Sequence, residues 1–305
     1  MTTSWEPGRH LVLVGPTAVG KSAVALELAT RRAARGEPVE IVSADSMQVY
    51  RGMDIGTAKP TLEERRGVPH HMIDLVDPAE EFTVAEFAAA GRAIIETASK
   101  PLVICGGSGL HFRALVDPMS FAPTDPDLRA ELEGLDLDEL TERLLAADPD
   151  AGAHVDLGNH RRVVRALEIY ELTGATPSRR AADPEAERVR RYEARYGFTA
   201  FGIDPGEELD DRIRQRQETM WARGLVDEVR DLWPRMGRTA RSAVNYRQVG
   251  EYLEGRATEE EAYEEALRAT RRLARKQRTW FRRDPRVRWI PWDEAAAAER
   301  ILEAL

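Results

Sequence analysis

Gly15-Pro16-Thr17-Ala18-Val19-Gly20-Lys21-Ser22 reads GxxxxGK[ST] and stands between the apolar run Leu11-Val12-Leu13-Val14 and the helix-forming stretch Ala23-Val24-Ala25-Leu26-Glu27-Leu28-Ala29. Strand, glycine loop and helix in that order predict a phosphate site. The glycines let successive N–H groups turn inward at the positive end of a helix dipole. Lys21 adds a mobile positive charge and Ser22 a hydroxyl ligand for Mg2+. The motif identifies a diphosphate or triphosphate, and leaves open the reaction performed on it.

Outward from that loop, residues 9 to about 117 alternate strand and helix signals. Strands are expected at Leu11 to Val14, Val39 to Ser43 and Leu102 to Cys105, with helices at Ala23 to Arg35 and Thr83 to Ser99. This order predicts an α/β fold, a parallel sheet with crossover helices, whose strand carboxyl ends carry the chemistry. The loops there hold Ala44-Asp45-Ser46 and Gly106-Gly107-Ser108-Gly109. After Pro118 the composition shifts to a charged, proline-punctuated, helix-prone segment. Tyr196 to Ile203 then reads as a returning strand, Glu208 to Trp233 and Thr258 to Arg282 as long helices, and Val287 to Ile290 as a last strand. The expected division is 1–122 and 196–305 as core, with 123–195 as an inserted helical unit.

The chain has 305 residues, enough for one large domain and a smaller one. It has no run of 18 apolar residues, so no membrane partner is expected. The N-terminus lacks a basic segment followed by an apolar one, and Cys105 is the sole cysteine, which excludes an internal disulfide. A cytoplasmic, monomeric protein is the expectation. The net charge of −9 argues against nucleic acid until its distribution is read. Arg268 to Arg288 carries ten basic residues against Asp284, whereas Asp125 to Asp150 carries ten acids against Arg129 and Arg143. Local field, and not total charge, sets affinity for phosphates.

A second motif, Asp45-Ser46-Met47-Gln48-Val49-Tyr50-Arg51-Gly52-Met53-Asp54-Ile55-Gly56-Thr57-Ala58-Lys59-Pro60, follows the strand Glu40-Ile41-Val42-Ser43. An acid there, facing a phosphate loop, can hold Mg2+, act as a base, or simply cap a turn. With Val68 to Pro78 (VPHHMIDLVDP), Gly106 to Leu110 (GGSGL), Asn245 to Gln248 (NYRQ) and Thr270 to Phe281 (TRRLARKQRTWF), the chain resembles the tRNA dimethylallyltransferase family, also called IPP transferases. The blocks occur in the family's order and span nearly the whole chain.

That resemblance implies a P-loop NTPase-like fold and transfer of a dimethylallyl group from dimethylallyl diphosphate to N6 of adenosine 37, beside the anticodon of tRNA. Pyrophosphate is the leaving group, so the loop of Gly15 to Ser22 has a role without ATP hydrolysis. Negative charge grows on the leaving diphosphate as the allylic C–O bond breaks, and N–H groups, Lys21 and Mg2+ stabilise it. By resemblance Asp45 is the base, Thr17 lies near the reacting end of the diphosphate, and Arg216 assists there. The resemblance puts RNA contacts at Asp45, Ser46, Met47 and Gln48, at Ser108 and Arg129, at Arg161, Arg162, Val163, Val164 and Arg165, and at Tyr246, Arg247 and Gln248. The target adenine must be extruded into a pocket to react. The basic run Arg268 to Arg283 is a further candidate for backbone contact.

Three positions depart from the family's usual residues: Asn245 stands for Gly, His111 for Tyr and Ser108 for Thr. Asn tolerates a positive φ best after Gly. His70 and His71 are adjacent, face opposite sides on regular backbone and make a poor metal pair. Trp280, Phe281, Trp289 and Trp292 read as core. Two other functions fit a phosphate loop, namely a small-molecule kinase of the nucleoside-monophosphate type and a non-catalytic RNA-binding or nucleotide-switch protein.

Overall fold

The computed structural model describes residues 10–292 and 296–305. Its central strand, β1 (His10–Val14), is followed by helix α1 (Lys21–Ala34), β2 (Glu40–Ser43), β3 (His70–His71), α2 (Val84–Thr97), β4 (Leu102–Gly106) and α3 (Gly109–Val116). A helical segment intervenes, with α4 (Pro126–Glu133), α5 (Leu137–Ala147), α6 (His160–Thr173), α7 (Pro177–Ala181) and α8 (Pro184–Arg190). The chain then returns through β5 (Phe198–Asp204), α9 (Leu209–Ala222), α10 (Leu225–Leu232), α11 (Arg238–Arg241), α12 (Tyr246–Leu253), α13 (Glu259–Arg282), β6 (Val287–Pro291) and α14 (Ala297–Glu303). All six strands pair in parallel in the order β3-β2-β4-β1-β5-β6. The expected α/β core, with the last strand rejoining the sheet, is what forms.

Alternation along β1 explains the two-sided core. Leu11 and Leu13 face Val24 and Leu28 of α1 and Ile301 of α14, whereas Val12 and Val14 face the opposite cluster with Phe87, Phe112 and Phe281. Val14 is level with Gly106, and Ser43 with Cys105, so β1, β2 and β4 end together and present their loops on one edge.

Two local features escaped the sequence reading. The stretch from Glu208 to Trp233 is not one helix, because Gly224, at φ 93°, separates α9 from α10. His70 and His71 form the short edge strand β3. The His70 ring bonds the Val68 carbonyl at 2.8 Å and His71 Nε2 bonds Glu40 at 2.8 Å, so both serve the sheet edge.

Asp117–Ala194 is a separate compact unit. Its helices begin at side-chain caps: Asp125, Asp136, Asn159, Thr176 and Asp183 each accept a backbone N–H of the first turn. Pro126, Pro177 and Pro184 stand at the first helical position, where no N–H is needed. Leu132, Leu140, Leu144, Val163, Val164 and Leu167 form its core. Beside that core Glu168 is fully buried and accepts from Arg129 and Arg165, each at 2.6 Å, and from the Asp125 N–H at 3.0 Å. Burial pushes the Glu168 carboxyl up, but the two guanidinium groups and the N–H outweigh it and hold the group below the ordinary carboxylate range.

Glu168→Ala removes the acceptor that joins α4 to α6, and is expected to cost about 3 kcal/mol at pH 7. Because the folded-state carboxyl has the lower pKa, its contribution is present above the unfolded value and fades as pH falls through the folded one. Urea unfolding followed by far-UV circular dichroism should show the wild type and variant converging in acid. A gap that stays constant with pH contradicts the ion-pair account.

Candidate active site

The turn after β1 is bent into positive φ at Gly15 (149°), Ala18 (65°) and Gly20 (81°). A Cβ on Gly15 would lie 2.9 Å from the Ile203 carbonyl of β5, so the loop hugs the neighbouring strand there. Among the described residues, no protein acceptor takes the N–H groups of Val19, Gly20, Lys21 and Ser22. Unpaired N–H donors at a helix N-terminus form an anion site. Lys21 Nζ turns back to the Pro16 carbonyl at 2.6 Å. Burial pushes the Lys21 ammonium down to about 8, with Arg216 adding to the shift and Cys105 and Asp45 opposing it. Burial likewise raises the Cys105 thiol to about 11, which keeps it protonated and inert.

This loop forms one wall of a cavity of about 450 Å³. Asp45, just past β2, faces the same space. Its Oδ1 accepts the N–H groups of Met47 (2.8 Å) and Gln48 (3.4 Å), and Oδ2 has no hydrogen-bond partner among the described residues. Gln48 is fixed at both ends, accepting from Ser43 Oγ at 2.8 Å and donating to the Thr57 carbonyl at 3.3 Å. Arg216 enters from α9 without a hydrogen-bond or ion-pair partner among the described residues; burial lowers its pKa, and Asp45 opposes that shift. Ser108 Oγ pairs with His111 Nδ1 at 2.8 Å, so His111 orients the hydroxyl while burial keeps its own pKa low.

The 45–60 motif is largely scaffolding for these groups. Lys59 is buried with its three protons met by the Tyr50 carbonyl (2.7 Å), Asp54 (2.7 Å) and Asp74 (2.6 Å). Glu228 of α10 takes the N–H groups of Asp54, Ile55 and Gly56, at 3.1, 2.7 and 3.2 Å. Asn245 sits at φ 78° and ψ −51°, and its side chain donates to the Gly56 carbonyl at 3.2 Å. These residues aim a carboxylate and a carboxamide into the cavity.

The structure brings together Thr17, Lys21, Ser22, Asp45, Ser46, Met47, Gln48, Ser108 and Arg216 as cavity lining. Gly15, Pro16 and Val19 are buried; Pro16 has no N–H to offer an anion, and its carbonyl accepts from Lys21. Several residues expected at RNA contacts have side chains committed within the fold. Tyr246 and Gln248 are fully buried: the phenol donates to Glu228, and the Gln248 carboxamide accepts the Asn245 N–H to cap α12. Val163 and Val164 fill the core of the helical unit. Arg129 and Arg165 spend charge on Glu168, whereas Arg161, Arg162 and Arg247 remain exposed. Trp280 is 45% exposed at the cavity wall and is not a core residue. The basic run is half neutralised within the fold, since Arg268, Arg271, Arg272, Arg278, Arg282 and Arg286 all pair with acids. Sequence reasoning missed Glu228 and Gln277, whose partners are distant in the chain.

Residues 48–284 match the family model described as IPP transferase, and residues 9–79 that described as isopentenyl transferase. The tRNA dimethylallyltransferase of Thermobifida fusca is 47% identical to this chain over 305 residues, covering 95% of it and 92% of the relative. That of Kineococcus radiotolerans is 48% identical and covers 98% of both chains. Among solved structures, the tRNA isopentenylpyrophosphate transferase of Bacillus halodurans is similar at 36% identity with a TM-score of 0.69, covering 97% of this chain and 94% of the other.

The Lys21 pKa makes anion binding pH-dependent. Below about 8 the ammonium is charged, and above it the charge is lost. The ratio of wild-type to Lys21→Met affinity for inorganic pyrophosphate, measured by titration calorimetry from neutral to alkaline pH, cancels the ligand's own titration and should fall toward about tenfold per pH unit in the alkaline limb. A ratio that stays constant across that range contradicts the assignment.

Proposed function

The chain belongs to the tRNA dimethylallyltransferase family, and from that membership we propose that the cavity transfers a dimethylallyl group from dimethylallyl diphosphate to N6 of adenosine 37 in tRNA. The observation that carries this reading is the sharing of one cavity by Lys21 and Ser22 at the open start of α1, an arginine and a carboxylate oxygen that have no partner among the described residues.

The diphosphate lies on the N–H groups of Val19 to Ser22, with Lys21 and Arg216 beside it. The allylic C–O bond breaks, its electron pair leaves with the diphosphate, and a new bond forms between N6 and the allylic carbon. Charge growing on the leaving group is met by donors already in place, which lowers the barrier without reorganisation. N6 becomes acidic as the bond forms, and Asp45 Oδ2 takes its proton, because Oδ1 is held by two backbone N–H groups. Thr17, Gln48 and Ser108 line the same cavity; family membership assigns Thr17 to the reacting end of the diphosphate and Gln48 and Ser108 to the extruded nucleotide.

Ser22 faces the cavity beside Lys21, and a hydroxyl there is the kind of ligand Mg2+ takes alongside phosphate. Among the described residues there is no cluster of three or more His, Cys, Asp or Glu side chains able to hold a metal, and Mg2+ takes few protein ligands beside phosphate and water. Ser22 would hold it together with the diphosphate, and when bound it neutralises part of the leaving group's charge. Every group named lies on this chain, which is the basis for proposing a monomeric enzyme. No helix among the described residues is long and apolar enough to cross a membrane, and a cytoplasmic site of action follows from the tRNA substrate proposed.

Asp45→Asn keeps the acceptor for Met47 and Gln48 but removes the base. It is expected to lower kcat by about 10²–10⁴-fold with tRNA affinity nearly unchanged. Incubation with dimethylallyl diphosphate, Mg2+ and unmodified tRNA, followed by mass spectrometry of digested nucleosides, measures this. Prenyl transfer by the variant at the wild-type rate rejects Asp45 as the base.

A further inference from the structure

Within the phosphate loop, the Thr17 N–H differs from those of Val19 to Ser22. It donates to Gln277 Oε1 at 2.8 Å, across 260 positions of sequence. Gln277 lies near the end of α13, a 24-residue helix closed at its start by a capping box at Thr258. One helical turn before Gln277, Ala274 joins Ile213 and Leu267 in a small apolar cluster against Ala18, the next residue of the loop. Positions three apart share a helix face, so α13 grips two successive loop residues, one by packing and one by a hydrogen bond.

The other end of the carboxamide is equally confined. Gly107, just beyond β4, would bring a Cβ to 2.6 Å from Gln277 Nε2. Gln277 thus spans the gap between the two glycine turns that border the cavity. The same helix supplies Thr270, Leu273, Lys276 and Trp280 to the cavity wall.

We propose that Gln277 is a positioning residue that fixes the Thr17 peptide, and with it the Thr17 hydroxyl, at the reacting end of the diphosphate. The contact leaves the N–H groups of Val19 to Ser22 available to an anion, so it persists when the donor binds. Its catalytic consequence rests on the function proposed above, but the contact itself is testable without substrates. A misplacement of about 1 Å in a reacting constellation costs up to about 10²-fold in rate.

Gln277→Leu removes the acceptor with little change in volume. In the full-length protein without substrates, amide hydrogen exchange at Thr17 should accelerate, whereas Gln277→Glu, which retains an acceptor, should keep it slow. At saturating tRNA and donor, Gln277→Leu should lower kcat by about tenfold or more, with the Kd for tRNA changed by less than about threefold. Gly107→Ala, which pushes the carboxamide aside, should reproduce both effects in a chain that keeps Gln277. Unchanged Thr17 exchange overturns the proposal. So does weakened tRNA binding with kcat intact, which would make Gln277 an RNA contact only. Should wild-type protein fail to prenylate tRNA, the function proposed above fails, and the exchange experiment still decides the latch.

Discussion

Four consecutive backbone N–H groups, Val19 to Ser22, have no protein acceptor among the described residues at the start of α1, and the surrounding fold holds the turn in that shape. Unpaired donors are costly unless water or a ligand meets them, so a turn that holds them open has to be braced from outside. The bracing is visible on each side. β5 closes on Gly15, the Trp292 ring leaves no room for a side chain at Gly20, the α9 and α13 cluster covers Ala18, and Gln277 holds Thr17. Arg212 lies over the Trp292 ring at 4.0 Å from its centroid. Residues from 203 to 292, far along the chain, therefore converge on a loop of eight near its start.

The second requirement is a carboxylate held close to that anion site without being neutralised by it. Asp45 meets it through chain geometry: β2 ends level with β4, and Oδ1 is tied to the next turn. The turn is in turn fixed from α10, where one carboxylate, Glu228, collects three successive N–H groups, and from Lys59, which is enclosed by two acids and a carbonyl. A motif that looks functional along its length thus divides into a few residues that face the cavity and a larger set that holds them there.

That division explains what was legible in the sequence. The phosphate loop and the strands on either side of it were readable because their geometry is local: a strand, a glycine turn and a helix follow one another. Asp45 on its own residues was equally a metal ligand, a base or a turn cap, and the family resemblance singled it out, as it did Asn245, which stands in place of Gly and sits at φ 78°. Burial was not readable. Tyr246 and Gln248 look like polar contacts until α12 is packed against α10 and the Gly56 turn, and Trp280 looks like core until α13 is seen to border a cavity. Arg129 and Arg165 carry the charge that RNA requires, but a buried acid three positions beyond Arg165 on the same helix claims both. Gln277 and Glu228 act on loops more than 170 positions away, and no spacing rule reaches that far.

The most direct measurement is a crystal structure with a dimethylallyl diphosphate analogue whose bridging oxygen is replaced by sulfur. Diphosphate oxygens within hydrogen-bond distance of the Val19 to Ser22 N–H groups and of Arg216, with the allylic carbon directed toward Asp45, are the predicted result. A diphosphate seated elsewhere, for example on Arg275 and Lys276 of α13 with the loop N–H groups left unfilled, contradicts the account.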